Sequence, residues 1–250
     1  MEVYLNRMDG WDDAILTMFY SKRTVTREFE MHVRQTVYDA TVQNPRYGVI
    51  GELVNTSSWN LEVWGTMQEW LQKLFKWAPH HTTMGRFLDL SFTVYGMHRA
   101  GQDDWDSHAK RFNNRIVRSS TRLADFKGGE VSEYYADKII PTDVALAALG
   151  IVTPEEIEYE GQTYVRAVNG YVLKGMENNK DVKRGLYMLS IPSNFIFKVD
   201  LTEFAHVYKE RCEKGTANPE VKLACEAMAS QLEDASLGFI NEELLMKIKN

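Results

Sequence analysis

The sequence predicts an α+β protein, and three features point there. Strand-like and helix-like segments are mixed along the chain without a βαβα rhythm. Glu158–Leu173 alternates and contains Gly161 and the Asn169-Gly170 pair, which is a hairpin signal. Near the end, Leu201, Phe204, Ala205, Tyr208 and Cys212 form one apolar stripe at helical spacing, and Val221, Ala224, Cys225, Met228 and Leu232 form the next.

Taken in order, Val3–Leu5 reads as a short strand. Asp9 or Asp12 is placed to cap a helix that buries Ala14, Ile15, Met18 and Phe19. Glu28–Thr41 reads as a second helix, and Gly48 and Gly51 mark a loop. Ser58–Trp77 has the spacing of a long amphipathic helix, with Leu61, Trp64, Met67, Trp70, Leu71 and Leu74 on one face and Pro79 ending it. Leu88–Tyr95 is an apolar strand broken by Gly96, and a helix or tight loop runs on to Ala109. Pro141–Leu149 is a short helix, and Leu186–Val199 is a strand region. No internal repeat or low-complexity linker divides the 250 residues, so one domain is expected.

Hydrophobic residues are 44% and charged residues 26%, enough apolar side chain for a real core. That composition excludes a disordered tail, a collagen-like chain and a disulfide scaffold. The formal charge of −6 argues against a surface that coats a nucleic-acid polymer, while leaving room for a local basic pocket. Two cysteines and an N-terminus without a signal-peptide pattern fit the cytoplasm. No apolar run has bilayer length, so no membrane partner is expected. Both cysteines fall on apolar stripes, where packing is the expected role.

Three stretches can carry chemistry. His80-His81-Thr82-Thr83 reads as a polar turn after Pro79, or as part of a site if partners come from elsewhere. Gly96–His108 is dense in hydrogen-bonding groups. Asp103, Asp104, Asp106 and His108 are the residue types of a hard-cation site, but no metal spacing is present and a solvated acidic helix face accounts for them. Lys110, Arg111, Arg115, Arg118 and Arg122, beside Ser119, Ser120 and Thr121, read as a phosphate-binding fan or as a charged surface helix. No nucleophile elbow, P-loop or dinucleotide glycine motif occurs.

In combination these segments resemble the flavin-dependent thymidylate synthases. That family carries H-x-S/T-P-x-E-H-x-x-F-T-F, then G-x-S-R-A, an R-H-R triplet and S-x-R-Y. Here His81-Thr82-Thr83-Met84 and Leu90-Ser91-Phe92 are followed by Gly96-Met97-His98-Arg99-Ala100 at the family's distance. His108 then lands on the centre of the triplet, and Ser120-Thr121-Arg122 resembles S-x-R with about three extra residues before it. In the second half, Arg184 precedes Leu186–Pro192. Phe204, His206 and Arg211 fit N-x-R-x-L-x-H-F-x-x-L-R, and Ala217–Val221 resembles A-Q-x-E-I.

The resemblance implies a central, mostly antiparallel sheet flanked by helices, with a hairpin insertion near 156–174. It implies a homotetramer with active sites between subunits. It further implies FAD as cofactor, with NADPH and methylenetetrahydrofolate as co-substrates, and reductive methylation of dUMP to dTMP. Arg122, Ser120, Arg184, Arg211 and Gln102 would contact the nucleotide, with Arg211 catalytic. His81, Thr83, Arg86, His108, Lys110, Arg111 and His206 would line the flavin site, and no metal is implied. The sequence also departs from the pattern. The triplet is Ser107-His108-Ala109, the family's acid falls at Arg86, N-x-R becomes Asp200-Leu201-Thr202, and Leu123 replaces the last tyrosine. These departures leave two alternatives beside the synthase: a nucleotide-binding homologue without catalysis, and an enzyme adding a different one-carbon group to a pyrimidine nucleotide.

Overall fold

The computed structural model describes residues 1–21, 25–42, 48–53, 65–107, 115–120, 130–167, 169–213 and 218–249. Strand β1 (Glu2–Asp9) leads to helices α1 (Trp11–Tyr20), α2 (Arg27–Ala40) and α3 (Met67–Trp77). Strand β2 (Asp89–His98) runs directly into α4 (Arg99–Ser107), and β3 (Arg115–Arg118) follows. Next come α5 (Thr142–Ala148), the strands β4 (Glu156–Tyr159), β5 (Gln162–Ala167) and β6 (Gly170–Leu173), and α6 (Lys180–Arg184). Strand β7 (Pro192–Asp200), α7 (Leu201–Tyr208), a π-turn at Lys209–Glu213, α8 (Pro219–Ala235) and α9 (Glu242–Lys247) complete the order. The architecture is α+β, with an antiparallel sheet flanked by helices. The larger sheet has strand order β1-β2-β7-β3, and the smaller is the antiparallel meander β4-β5-β6.

The chain forms two compact units. The first contains Met1–Glu2, Val94–Asp104 and Val117–Phe195; the second contains Val3–Thr93, Trp105–Ile116 and Ile196–Asn250. The second unit's core is aromatic. Phe19 meets Phe29 and Trp70 edge-on, Trp11 meets Phe75 edge-on, and Phe92 stacks on Phe204. Each ring fully withdrawn from water contributes about 1.5–3 kcal/mol. In the first unit, β4 and β5 turn through Glu160-Gly161, both at positive φ, as a two-residue hairpin requires. No helix among the described residues is long and apolar enough to cross a membrane.

Several expected boundaries move, each for a local reason. β2 does not stop at Gly96. Leu90, Phe92 and Val94 alternate inward, the pattern slips by one at Gly96 (φ 76°), and Met97 and His98 are buried beyond it. A left-handed glycine inserting one residue in this way is how a bulge re-aims a strand. α3 begins at Met67, because Thr66 accepts from the Glu69 N–H (3.2 Å) while the Glu69 carboxylate accepts from the Thr66 N–H (2.9 Å). The expected start at Ser58 lies outside the described residues. Arg115–Arg118, offered as a basic surface helix, is strand β3. The Leu186–Val199 strand is regular only from Pro192.

Helix α1 lacks the aspartate cap expected from Asp9 or Asp12. Its N-cap is Gly10 at φ 85°, with no side-chain cap bond. A Cβ at Gly10 would lie 1.9 Å from the Phe87 carbonyl oxygen, so backbone packing excludes any side chain. Gly10→Ala is therefore expected to lower the unfolding free energy by about 3 kcal/mol or more. Urea denaturation of the variant beside the native chain checks this, and an unchanged midpoint contradicts it.

Candidate functional site

In the first unit, the junction of β2 and α4 is stitched to the segment that enters β7. The Arg99 N–H donates to the Ile191 carbonyl (3.1 Å), Ala100 N–H to Leu189 (3.0 Å), and Ser132 N–H to Ser190 (2.8 Å). This corner holds Arg99, whose Nη1 is buried and has no hydrogen-bond partner. Burial depresses the proton affinity of the Arg99 guanidinium. Arg118 and then Arg184 depress it further by like-charge repulsion, against an opposing pull from Asp103. Arginine keeps its proton regardless, so the repulsion remains as fixed positive charge. Arg118 is bonded to Asp103, and Arg184 Nη1 lies 3.6 Å from Asp181. Three guanidiniums thus face two carboxylates in one corner of the unit.

Neutral groups nearby are also short of partners. Gln102 is fully buried; its amide donates to the Met97 carbonyl (3.1 Å), while Oε1 has no partner. The buried hydroxyls of Ser132, Ser190 and Ser193 have none either. Buried polar atoms without partners are uncommon, and several of them lie in this unit. His98 is fully buried, edge-on to Tyr135 at 4.7 Å, and its Nε2 is 3.4 Å from the Tyr135 hydroxyl.

The second unit presents a different surface. Residues 81–87 form a turn that ends in one turn of 3-10 helix, leaving His81, Thr83 and Arg86 exposed. The Thr202 hydroxyl donates to the Thr82 carbonyl (2.8 Å), tying this turn to the start of α7. Asp200 is buried and caps α7 by accepting from the Glu203 N–H (2.8 Å). Burial pushes the Asp200 carboxyl up from its ordinary value, and Arg86 partly offsets that. The departures at positions 200 and 202 therefore have structural work: one caps a helix and the other pins the neighbouring turn. His206 is half-buried on α7, and Arg211 is buried in the π-turn that follows.

The sequence-derived site residues thus fall into three sets. Gln102, Ser120 and Arg184 lie in the first unit, and His81, Thr83, Arg86, His206 and Arg211 in the second. Arg122, His108, Lys110 and Arg111 lie outside the described residues. Arg99 is the residue that sequence reasoning misses: it matches the arginine of G-x-S-R-A, and that match alone gives it no role. Among the described residues no three His, Cys, Asp or Glu side chains gather as a metal site, and Asp103 is engaged with Arg118.

No family model matches the sequence, and no curated protein does. Solved structures do match. Thymidylate synthase X from Helicobacter pylori, with FAD and dUMP, superposes with TM-score 0.53 at 12% identity, covering 98% of this chain and 100% of that one. A second structure of the flavin-dependent thymidylate synthase from Helicobacter pylori, complexed with FAD and dUMP, gives TM-score 0.50 at 11% identity, covering 97% and 100%. The chain has the flavin-dependent thymidylate synthase fold. At such identity the likeness extends to the path of the backbone and leaves the chemistry to this chain's own side chains.

Asp200 provides a test of the α7 junction. Its folded pKa is raised above 3.8, so the unfolded chain holds fewer protons between the two values. Stability linked to this group is greatest at low pH and declines as pH rises from about 4 through the folded value. Asp200→Asn keeps an oxygen cap and removes the titration, so it should match or exceed native stability at pH 7. Asp200→Ala should lose about 1 kcal/mol through the missing cap. Urea midpoints at pH 4 and 7 decide it. Asp200→Asn less stable than the native chain at pH 7 contradicts the assignment.

Proposed function

We propose that the protein is a flavin-dependent enzyme that methylates dUMP to dTMP, with methylenetetrahydrofolate as carbon donor and NADPH as reductant. The observation that carries this reading is the half-buried Arg99 guanidinium, with a buried, unpartnered Nη1 and with the charges of Arg118 and Arg184 acting on it, in a chain with this fold. A nucleotide monophosphate is the anion that such a corner suits. Its dianionic phosphate takes several charge-assisted hydrogen bonds at once, and the Ser132, Ser190 and Ser193 hydroxyls are further donors. The Gln102 Oε1 is an acceptor of the kind that an imide N–H of a pyrimidine ring satisfies.

The exposed donors of the 81–87 turn fit FAD in kind. The Arg86 guanidinium, the His81 imidazole and the Thr83 hydroxyl suit a pyrophosphate and the sugar-like oxygens beside it. Reduced flavin supplies a hydride when bound; the protein's part is to bind, orient and polarise. Arg211 is the proposed polarising group, because negative charge builds on a ring carbonyl as the pyrimidine is activated and arginine cannot surrender its proton. Arg122 and Ser120 are proposed phosphate contacts. His108, Lys110, Arg111 and His206 are proposed to complete the flavin site. A homotetramer is proposed as the assembly that brings these sets together, and the cytoplasm as its place.

A second reading has one observation in its favour. Asp200 and Thr202, where the family pattern has N-x-R, are committed to capping and pinning. A protein that binds the nucleotide without turning it over would have that arrangement.

The spectrum of the purified protein, followed by NADPH oxidation with and without dUMP, separates the readings. A flavin absorbance band and faster oxidation with dUMP support the synthase; dUMP binding without turnover under anaerobic reducing conditions supports the second reading. Protein that neither carries nor takes up FAD overturns the proposal. Arg184→Ala, at a half-exposed position, should fold and should weaken dUMP binding at least tenfold. Losing one charged hydrogen bond costs about 1.5–3 kcal/mol, a decade or two in affinity. Equal affinity in calorimetry contradicts that role.

A further inference from the structure

His98 stands where the motif G-x-S-R-A carries serine, one position before Arg99. Its imidazole is fully buried at the end of β2. On one side the ring meets the first turn of α4. A Cβ at Gly101 would lie 2.6 Å from the His98 Cε1, so the ring occupies the space that the glycine leaves. On the other side is one turn of 3-10 helix at Glu133–Tyr135. The Tyr135 ring stands edge-on to the imidazole at 4.7 Å, and its hydroxyl oxygen lies 3.4 Å from the His98 Nε2. Tyr134, in the same turn, faces the imidazole at 6.4 Å.

This contact closes a circuit of bonds. Leu189, Ser190 and Ile191 offer three consecutive carbonyls. The first and third accept from the Ala100 and Arg99 N–H groups (3.0 and 3.1 Å), and the second accepts from the Ser132 N–H (2.8 Å). The Tyr135 N–H donates in turn to the Ser132 carbonyl (2.8 Å). The start of α4 and the 3-10 turn are therefore bonded to the same three residues, and His98 and Tyr135 join them directly. Arg99 is part of that circuit, next to the residue that closes it. Packing alone does not call for an imidazole here, since a leucine fills comparable space without burying polar nitrogens. A polar contact in the interior fixes the rotation of the ring as apolar packing does not.

We propose that His98 and Tyr135 are a positioning pair. Their contact fixes the first turn of α4 against residues 189–191 and so sets the direction from which Arg99 meets the phosphate of the nucleotide. The inference rests on the nucleotide reading of this corner. In this role both residues act through Arg99 rather than on the ligand. Charged hydrogen bonds to phosphate depend on direction, so a small turn of the helix start weakens them and spares contacts to the ring and sugar.

The test measures calorimetric affinities of the full native chain and its variants for dUMP and for deoxyuridine, with melting temperatures alongside. Tyr135→Phe removes only the hydroxyl, and His98→Leu removes the imidazole while filling its place. Each should weaken dUMP binding about tenfold, as one weakened charged hydrogen bond does, and leave deoxyuridine binding unchanged. His98→Gln carries an amide nitrogen to about the place of Nε2 and should restore the native ratio of the two affinities. A residue of merely structural weight lowers the melting temperature without moving that ratio. A native chain that prefers dUMP, with a ratio that survives in both Tyr135→Phe and His98→Leu, overturns the positioning role and leaves the nucleotide reading standing. His98→Gln as weak as His98→Leu overturns it as well. A native chain that binds the two ligands alike overturns both the role and the reading.

Discussion

A partly buried guanidinium with one buried, unpartnered nitrogen is the constraint from which the functional reading grows. Arg99 sits where β2 turns into α4, its backbone held by the segment entering β7. Its guanidinium is pressed by burial and by Arg118 and Arg184, and one of its nitrogens has no partner. A buried polar atom without a partner is uncommon in a folded protein, and in the proposed function an anion supplies the missing bond.

The geometry that creates this corner starts at one glycine. Gly96 lets β2 slip its alternation, so His98 turns inward and Arg99 follows at the first position of a helix. The Gly96 N–H donates to the Asn194 side chain (2.9 Å), which fixes the slip against β7. Gly101 then lies so close to the His98 ring that a Cβ would sit 2.6 Å from it. Both glycines, together with the buried histidine between them, set where the arginine points. In the second unit, the α7 junction is fixed by Asp200, which caps the helix, and by Thr202, which holds the 81–87 turn in place.

Much of this was legible in the sequence, and the rest was hidden for physical reasons. The apolar faces of α1, α3, α7 and α8 show directly in residue spacing, because burial of one face is what these helices are for. Spacing could not show the bulge at Gly96, since a glycine in a strand reads equally as a stop. It also could not show that Arg115–Arg118 is a strand, because arginines three positions apart are spaced as on one face of a helix. Arg99 falls on a motif position, but its part in the corner is not legible there: whether an arginine stands among like charges depends on chain segments more than 80 positions away, at Arg184 and Ile191.

The most direct test compares calorimetric binding of dUMP with that of deoxyuridine to the native protein at one ionic strength. The two ligands share ring and sugar and differ only in the phosphate. If the arginine corner holds that phosphate through two or more charged hydrogen bonds, dUMP binds at least about a hundredfold more tightly, and inorganic phosphate competes with it. Equal affinities for the two ligands, or dUMP binding indifferent to phosphate, would contradict the account.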